Sequence, residues 1–202
     1  EAGITPMLHR MFVAPLMEGD RIVGAIVESK AGREAILAKR VIDATGDADV
    51  AHRAGATTRK QAPEDMIGTS VMCSMSGVNK QRFIEQVKAD PQTYRDWAYG
   101  QWTVETTGKE DEMFSPFLRK PFEQAREAGL IPPNLDTIAG TWGAIYDSGD
   151  LTYLNLVHLL GYDGTNPDDL TRGEMEGREQ AMMAIEALKQ FMPGCEGAKL
   201  RN

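Results

Sequence analysis

Arg40-Val41-Ile42-Asp43-Ala44-Thr45-Gly46-Asp47-Ala48-Asp49-Val50-Ala51-His52-Arg53-Ala54-Gly55-Ala56 is the stretch whose reading decides the fold. Val41 and Ile42 carry χ1-restricted side chains that favour a pleated, buried setting, so a short strand is expected to lead into Ala-Thr-Gly-Asp. Gly46 lets the backbone take positive φ or come close to something bulky. Asp47 or Asp49 is placed to cap the helical segment of small residues that follows. Strand, glycine turn, acidic cap and helix start are the parts from which nucleotide-binding crevices are built, although a plain βα connection uses the same parts.

The longer string resembles the Ala-Thr-Gly-Asp segment of a family of FAD-dependent oxidoreductases. In that family the chain leaves a small β-meander there and re-enters the nucleotide-binding domain beside the flavin nucleotide. A second block, Leu154-Asn155-Leu156-Val157-His158-Leu159-Leu160-Gly161-Tyr162-Asp163-Gly164-Thr165 followed by Asp168-Asp169-Leu170-Thr171-Arg172-Gly173-Glu174, is similar to the family's strand, Gly-x-Asp-Gly-Thr loop and Leu-Thr-Arg-opened helix. The resemblance implies that Ala44, Thr45, Gly46 and Asp47 lie against FAD. It also implies an α+β piece of a flavoprotein of the nucleotide-binding α/β type.

No Gly-x-Gly-x-x-Gly occurs in the chain, so the first pyrophosphate-cradling turn of such folds is missing. The 202 residues therefore read as an internal portion of a larger flavoprotein, expected to hold no FAD by itself and to partner the remainder of that protein. Charge and composition exclude other classes. A net charge of −8 without a basic block argues against nucleic acid, and no long apolar run suits a membrane. Cys73 and Cys195 are isolated, which points to a reducing cytoplasm, and three scattered histidines with two cysteines give no metal-ligand spacing.

Taken in order, residues 1–56 are expected to form the β-meander and re-entry segment, 57–170 a substrate or cap domain, and 171–202 a long helix returning toward the FAD domain. The fold expected is a meander plus a mixed sheet with flanking helices. Strands are predicted over Met7–Met17, with His9 half-exposed near the start, then Arg21–Ser29, Glu34–Ala38 and Thr69–Met75. Helices are predicted from Asn79 as cap, from Asp90-Pro91 with Tyr94, Trp97, Ala98 and Trp102 as a core stripe, and over Phe114–Gly129. Thr137–Asp147 and Leu151–Leu160 read as strands about a Ser148-Gly149-Asp150 turn, with Trp142 and Tyr146 on one face. Thr171–Met192 reads as a helix opened by a Thr171…Glu174 capping box and stopped by Pro193-Gly194, with Met175, Met182, Ile185, Leu188 and Met192 as its apolar face. Part of that stripe is expected to lie uncovered or to form a homodimer contact through helix 171–192.

His158 is the candidate for proton transfer, because imidazole titrates near neutrality. The same residue, with Asn155, is a candidate for binding a small-molecule substrate, and a basic residue here suits an anionic one. The bland alternative is a sheet histidine whose nitrogens are satisfied by neighbours. Asn155 and His158 are three apart, so a regular strand sends them to opposite faces. No nucleophilic serine or cysteine stands out. Two functions remain: an FAD-dependent oxidoreductase transferring hydride, and a non-catalytic structural or subunit-interaction module that binds no flavin.

Overall fold

The computed structural model describes residues 3–90, 94–95, 103–104 and 117–202. The chain divides into two units, Glu1–Gln61 and Ala62–Asn202. In the first, Ile- and Val-rich Arg21–Ser29 (β2) is the centre of an antiparallel meander between Met11–Glu18 (β1) and Gly32–Leu37 (β3). β-Branched residues fill the middle strand because it has a pleated neighbour on both sides. Arg33–Glu28 (2.8 Å) and Arg10–Glu34 (2.9 Å) are exposed ion pairs, of the kind that adds little stability.

Two expectations in this unit are corrected. His9 is not a strand residue: its φ of 57° is left-handed, and the strand starts two residues later, at Met11. Val41 and Ile42 form no strand either, and Ile42 is 90% exposed. The ladder ends with the Ala38 N–H on the Val23 carbonyl (2.9 Å). Residues 39–44 pair with no strand among the described residues, and β propensity is realised only where such a partner exists. The helical segment follows as Asp49–Arg53 (α1).

The second unit is built on Thr69–Ser76 (β4), which follows a 3-10 turn at Pro63–Asp65. Then come Lys80–Ala89 (α2), Tyr94–Arg95 (β5), Thr103–Val104 (β6), Phe117–Leu118 (β7), Lys120–Glu127 (α3), Gly140–Thr141 (β8) and Ala144–Ile145 (β9). Leu151–Leu159 (β10), Pro167–Phe191 (α4) and Lys199–Leu200 (β11) complete it. The main sheet runs β11-β4-β10-β8-β7, with β9 also on β10. Where a mixed sheet was expected, every pairing here is antiparallel. The class is α+β.

Alternation along β4 turns Val71, Cys73 and Met75 to one face, and α4 packs on that face and on α3. Gly177 makes the close approach possible, because a Cβ there would stand 2.3 Å from Val71 Cγ2. Phe83, Phe122, Leu154, Ile138 and Leu188 are fully buried, and Phe83 meets Trp142 edge to face at 5.1 Å. Cys73 and Cys195 are both free and buried, and burial pushes the Cys195 thiol up to about 12. Among the described residues no helix is long and apolar enough to cross a membrane.

Several local readings shift. Asn79 caps α2 as expected, its Oδ1 accepting the Arg82 N–H at 3.1 Å. Tyr94–Arg95 pairs with Thr103–Val104 instead of opening a helix, while Trp97, Ala98, Trp102 and Phe114 lie outside the described residues. Phe117–Leu118 pairs with β8 ahead of α3. Thr137–Asp147 is broken around Gly143 into β8 and β9, so Trp142 is buried and Tyr146 is 52% exposed. Helix α4 starts four residues before Thr171. Asn166 Oδ1 accepts the Asp168 N–H (3.0 Å), Pro167 takes the first position, and Asp168 and Asp169 supply the acidic first turn. Thr171 is already inside, its hydroxyl donating to the Pro167 carbonyl (2.8 Å). The Glu174–Arg178 pair forms at 2.6 Å. Ile185, Leu188 and Met192 are buried, whereas Met175 (64%) and Met182 (51%) are exposed on the opposite side of the helix.

Candidate functional site

The Ala-Thr-Gly-Asp loop is held by one carboxylate. Asp43 Oδ1 accepts from the Thr45 N–H (3.1 Å) and the Thr45 hydroxyl (2.7 Å), while its Oδ2 accepts from the Ala51 N–H at 2.8 Å. Thr45 Oγ1 in turn accepts the Asp49 N–H at 3.0 Å. The expected caps Asp47 and Asp49 do not cap α1. The N-cap position is Ala48, in left-handed backbone, and the capping falls to Asp43 and Thr45 from further back. The Ala51 N–H, and after it the Thr45 hydroxyl and N–H, hold the Asp43 carboxyl below its usual range.

Ala44, Thr45, Gly46 and Asp47 are thereby presented together on an exposed turn. Gly46 has φ 96°, which side-chain-bearing residues rarely adopt, and the space where its Cβ would point is open to 4 Å. The N–H groups of Gly46, Asp47 and Ala48 find no acceptor among the described residues. Exposed donors on a backbone without a side chain fit the approach of a nucleotide cofactor.

In the second unit, β10 carries the other candidates, and it is not a regular strand. Against β4 the register runs Leu151↔Met75, Leu154↔Cys73, Val157↔Val71, so β10 inserts one extra residue in each interval. These are bulges. The second one resolves the parity of Asn155 and His158. Each follows an inward residue, Leu154 or Val157, so both leave the strand on the same face despite being three apart. Neighbouring β8 comes in so closely that only glycine fits at 140. A Cβ there would lie 1.9 Å from the Asn155 carbonyl oxygen and 3.3 Å from His158 Nε2.

His158 is half-buried. Nδ1 lies 3.3 Å from Ser70 Oγ, contributed by the paired residue of β4. The Ala139 carbonyl, beside Gly140, also acts on the ring. Burial pushes the imidazole pKa down, and the Ala139 carbonyl opposes this in part. Asn155 Oδ1 is buried and has no hydrogen-bond partner among the described residues, an arrangement that leaves an acceptor available.

Beside the exposed edge of β4 a groove of about 450 Å³ is lined by Ser70, Val71, Leu159, Leu170, Tyr162 and Arg178; His158 does not line it. Its far wall is α4, where Tyr162 donates to Glu176 and Arg172 lies 5.4 Å above the Tyr162 ring while pairing with Asp169. Ser70, Ala139 and Gly140 were not legible as site residues. The one available signal was an isolated glycine in a strand pattern, which marks close backbone approach. Among the described residues no three His, Cys, Asp or Glu side chains are grouped to hold a metal ion.

Comparison with known proteins adds one finding. Searches of curated proteins and of solved structures returned no match. The family model described as FAD dependent oxidoreductase matches residues 1–202, the whole chain. With an open, donor-bearing glycine loop at Ala44–Asp47 and a match over its full length, the chain belongs to the FAD dependent oxidoreductase family.

Proposed function

We propose that the chain is an internal portion of an FAD-dependent oxidoreductase in which hydride passes between a small organic substrate and the flavin. The observation that carries this reading is the Gly46 loop, with its positive φ, open Cβ side and unclaimed N–H groups. Ala44, Thr45, Gly46 and Asp47 would hold the cofactor, Gly46 by allowing contact with bare backbone and its neighbours by offering donors. When bound, the flavin supplies the hydride chemistry, and the protein supplies orientation and electrostatics. Asn155 would bind the substrate through its unclaimed Oδ1, and His158 would accept a proton or anchor an anion. The two free, buried cysteines support a reducing, cytoplasmic setting.

The test is Gly46→Val in the flavin-loaded protein. A β-branched residue at φ 96° is strained by about 1–3 kcal/mol, so occupancy is compared between proteins whose flavin-free melting has been measured. A fall in bound flavin greater than the melting change explains supports the reading. Unchanged occupancy leaves Gly46 a plain turn residue.

A second reading has an observation of its own. Met175 and Met182 stand exposed on α4, which favours a subunit-interaction module, with a homodimer through helix 171–192 as one form. Sedimentation of wild type against Met175→Glu/Met182→Glu decides it: a dimer that the double variant dissolves supports this reading.

A further inference from the structure

The first bulge of β10, between Leu151 and Leu154, contains a tyrosine in an unusual backbone state. Tyr153 has φ 53°, and a bulky side chain in left-handed backbone is a strained outlier of the kind found at binding sites. Its ring is 65% exposed, so core packing does not account for the strain. A Cβ at position 143 would lie 2.8 Å from Tyr153 Cδ2, so the ring is cleared only because that residue is glycine. Tyr153 lines a pocket of about 500 Å³ together with Tyr146, Ser74, Thr152, Asp150 and Arg201. That volume falls among small-molecule sites, roughly 300–1,000 Å³. Ser74 alternates with Cys73 and Met75, so its side chain leaves β4 on the face away from α4.

The polar lining is paired in charge but not saturated in hydrogen bonds. Asp150 Oδ2 accepts from the Ser148 hydroxyl (2.8 Å), and Arg201 Nη1 lies 3.2 Å from it. Asp150 Oδ1 and the other guanidinium N–H groups of Arg201 have no partner among the described residues. A free carboxylate oxygen beside free N–H donors suits two neighbouring hydroxyls, one donating and one accepting. Because the two side chains neutralise each other, the site favours neither an anion nor a cation. The tyrosine rings, both more than half exposed, offer an apolar surface with a polar tip, on which the C–H face of a sugar ring can rest. A purely aromatic ligand would cover the rings and leave the carboxylate and guanidinium unanswered. We propose that this pocket is a binding site for a neutral saccharide, its ring against Tyr153 and a vicinal diol bridging Asp150 and Arg201. Nothing in this recognition calls on the flavin.

The test is saturation-transfer NMR on the 202-residue chain, titrated with maltose, cellobiose and lactose as probes. Irradiating the protein should carry saturation to the ring C–H protons of at least one sugar, and the titration gives its affinity. Tyr153→Gly is the decisive variant, because glycine adopts this backbone conformation without strain. Its affinity should fall about tenfold or more, as for loss of a central aromatic contact, while its Tm holds or rises. Tyr153→Phe should keep the affinity within about threefold, since the ring remains. Asp150→Asn should weaken binding about tenfold, by removing the charged acceptor of the diol. A Tm loss of more than about 4 °C in Tyr153→Gly shows that the ring serves to cover Gly143, and overturns the proposal. So does the absence of transfer to all three sugars, or an affinity that Tyr153→Gly and Asp150→Asn both leave unchanged.

Discussion

Gly140→Ala is the sharpest perturbation available, because its cost follows from one distance. An added Cβ would stand 1.9 Å from the Asn155 carbonyl oxygen and 3.0 Å from its carbonyl carbon. The shortest ordinary carbon–oxygen contact is about 3.3 Å, so β8 and β10 must separate by roughly 1.4 Å. The obstacle is backbone on a central strand, so no rotamer change relieves it. Such a shift breaks the Ala139 N–H bond to the Leu156 carbonyl, now 3.1 Å, and withdraws the Ala139 carbonyl from His158. Overpacking costs about 1–3 kcal/mol, and a buried donor left unsatisfied adds about 1–3 kcal/mol. A loss of about 3 kcal/mol, or about 6–12 °C in Tm for a body of this size, is expected. Urea unfolding followed by circular dichroism measures it, with Gly46→Ala as the contrast. That position has open space, so only the backbone conformation costs, about 1 kcal/mol. A Gly140→Ala protein within 0.5 kcal/mol of wild type (about the scatter of neutral surface changes), with unchanged His158 ring signals, refutes the close approach of β8 to β10.

Three further outcomes are expected. His158 has a folded pKa below its ordinary 6.5, so its contribution to stability is full above about pH 6.5 and is lost as pH falls from there to the lower folded value; His158→Gln should flatten that part of the stability profile. Asp43 is likewise depressed, below 3.8, so its contribution is present above that pH and declines as pH falls through the window beneath it. Asp43→Asn should remove that decline, and should weaken amide-exchange protection at Ala51, whose N–H it holds. Phe83→Ala empties a fully buried site against Trp142 and should cost about 3–5 kcal/mol in urea unfolding.

How much of this was legible depended on whether a residue's setting was local. β2, the Asn79 cap and the body of α4 follow from spacing and capping chemistry that act within a turn or two. The start of α4 was misplaced because two capping signals overlap, and Asn166-Pro167-Asp168-Asp169 is the stronger of them: it puts a side-chain acceptor, a Pro and two acids where the free N–H groups are. Val41 and Ile42 had the right composition for a strand, but a strand also needs an edge to pair with. The candidate site was half legible. The Ala44–Asp47 turn is local, and Gly46 was identified from its neighbours alone. The surroundings of His158 are not local: Ser70 lies 88 positions away in sequence, and two bulges in β10 set which face each residue takes.

Those bulges bear on how related chains should be aligned. Because β10 spends one extra residue between Leu154 and Val157, Asn155 and His158 share a face at a separation of three. A relative with one residue fewer in that interval, and so no bulge, would carry the same pair on the same face at a separation of two. Column-by-column comparison would score the shorter chain as having a gap beside a misplaced histidine. The two chains would in fact present the same chemistry, and the inserted residue would be the variable part. Homologous positions on this strand are therefore better matched by their β4 partners, Cys73, Val71 and Ser70, than by counting along the chain.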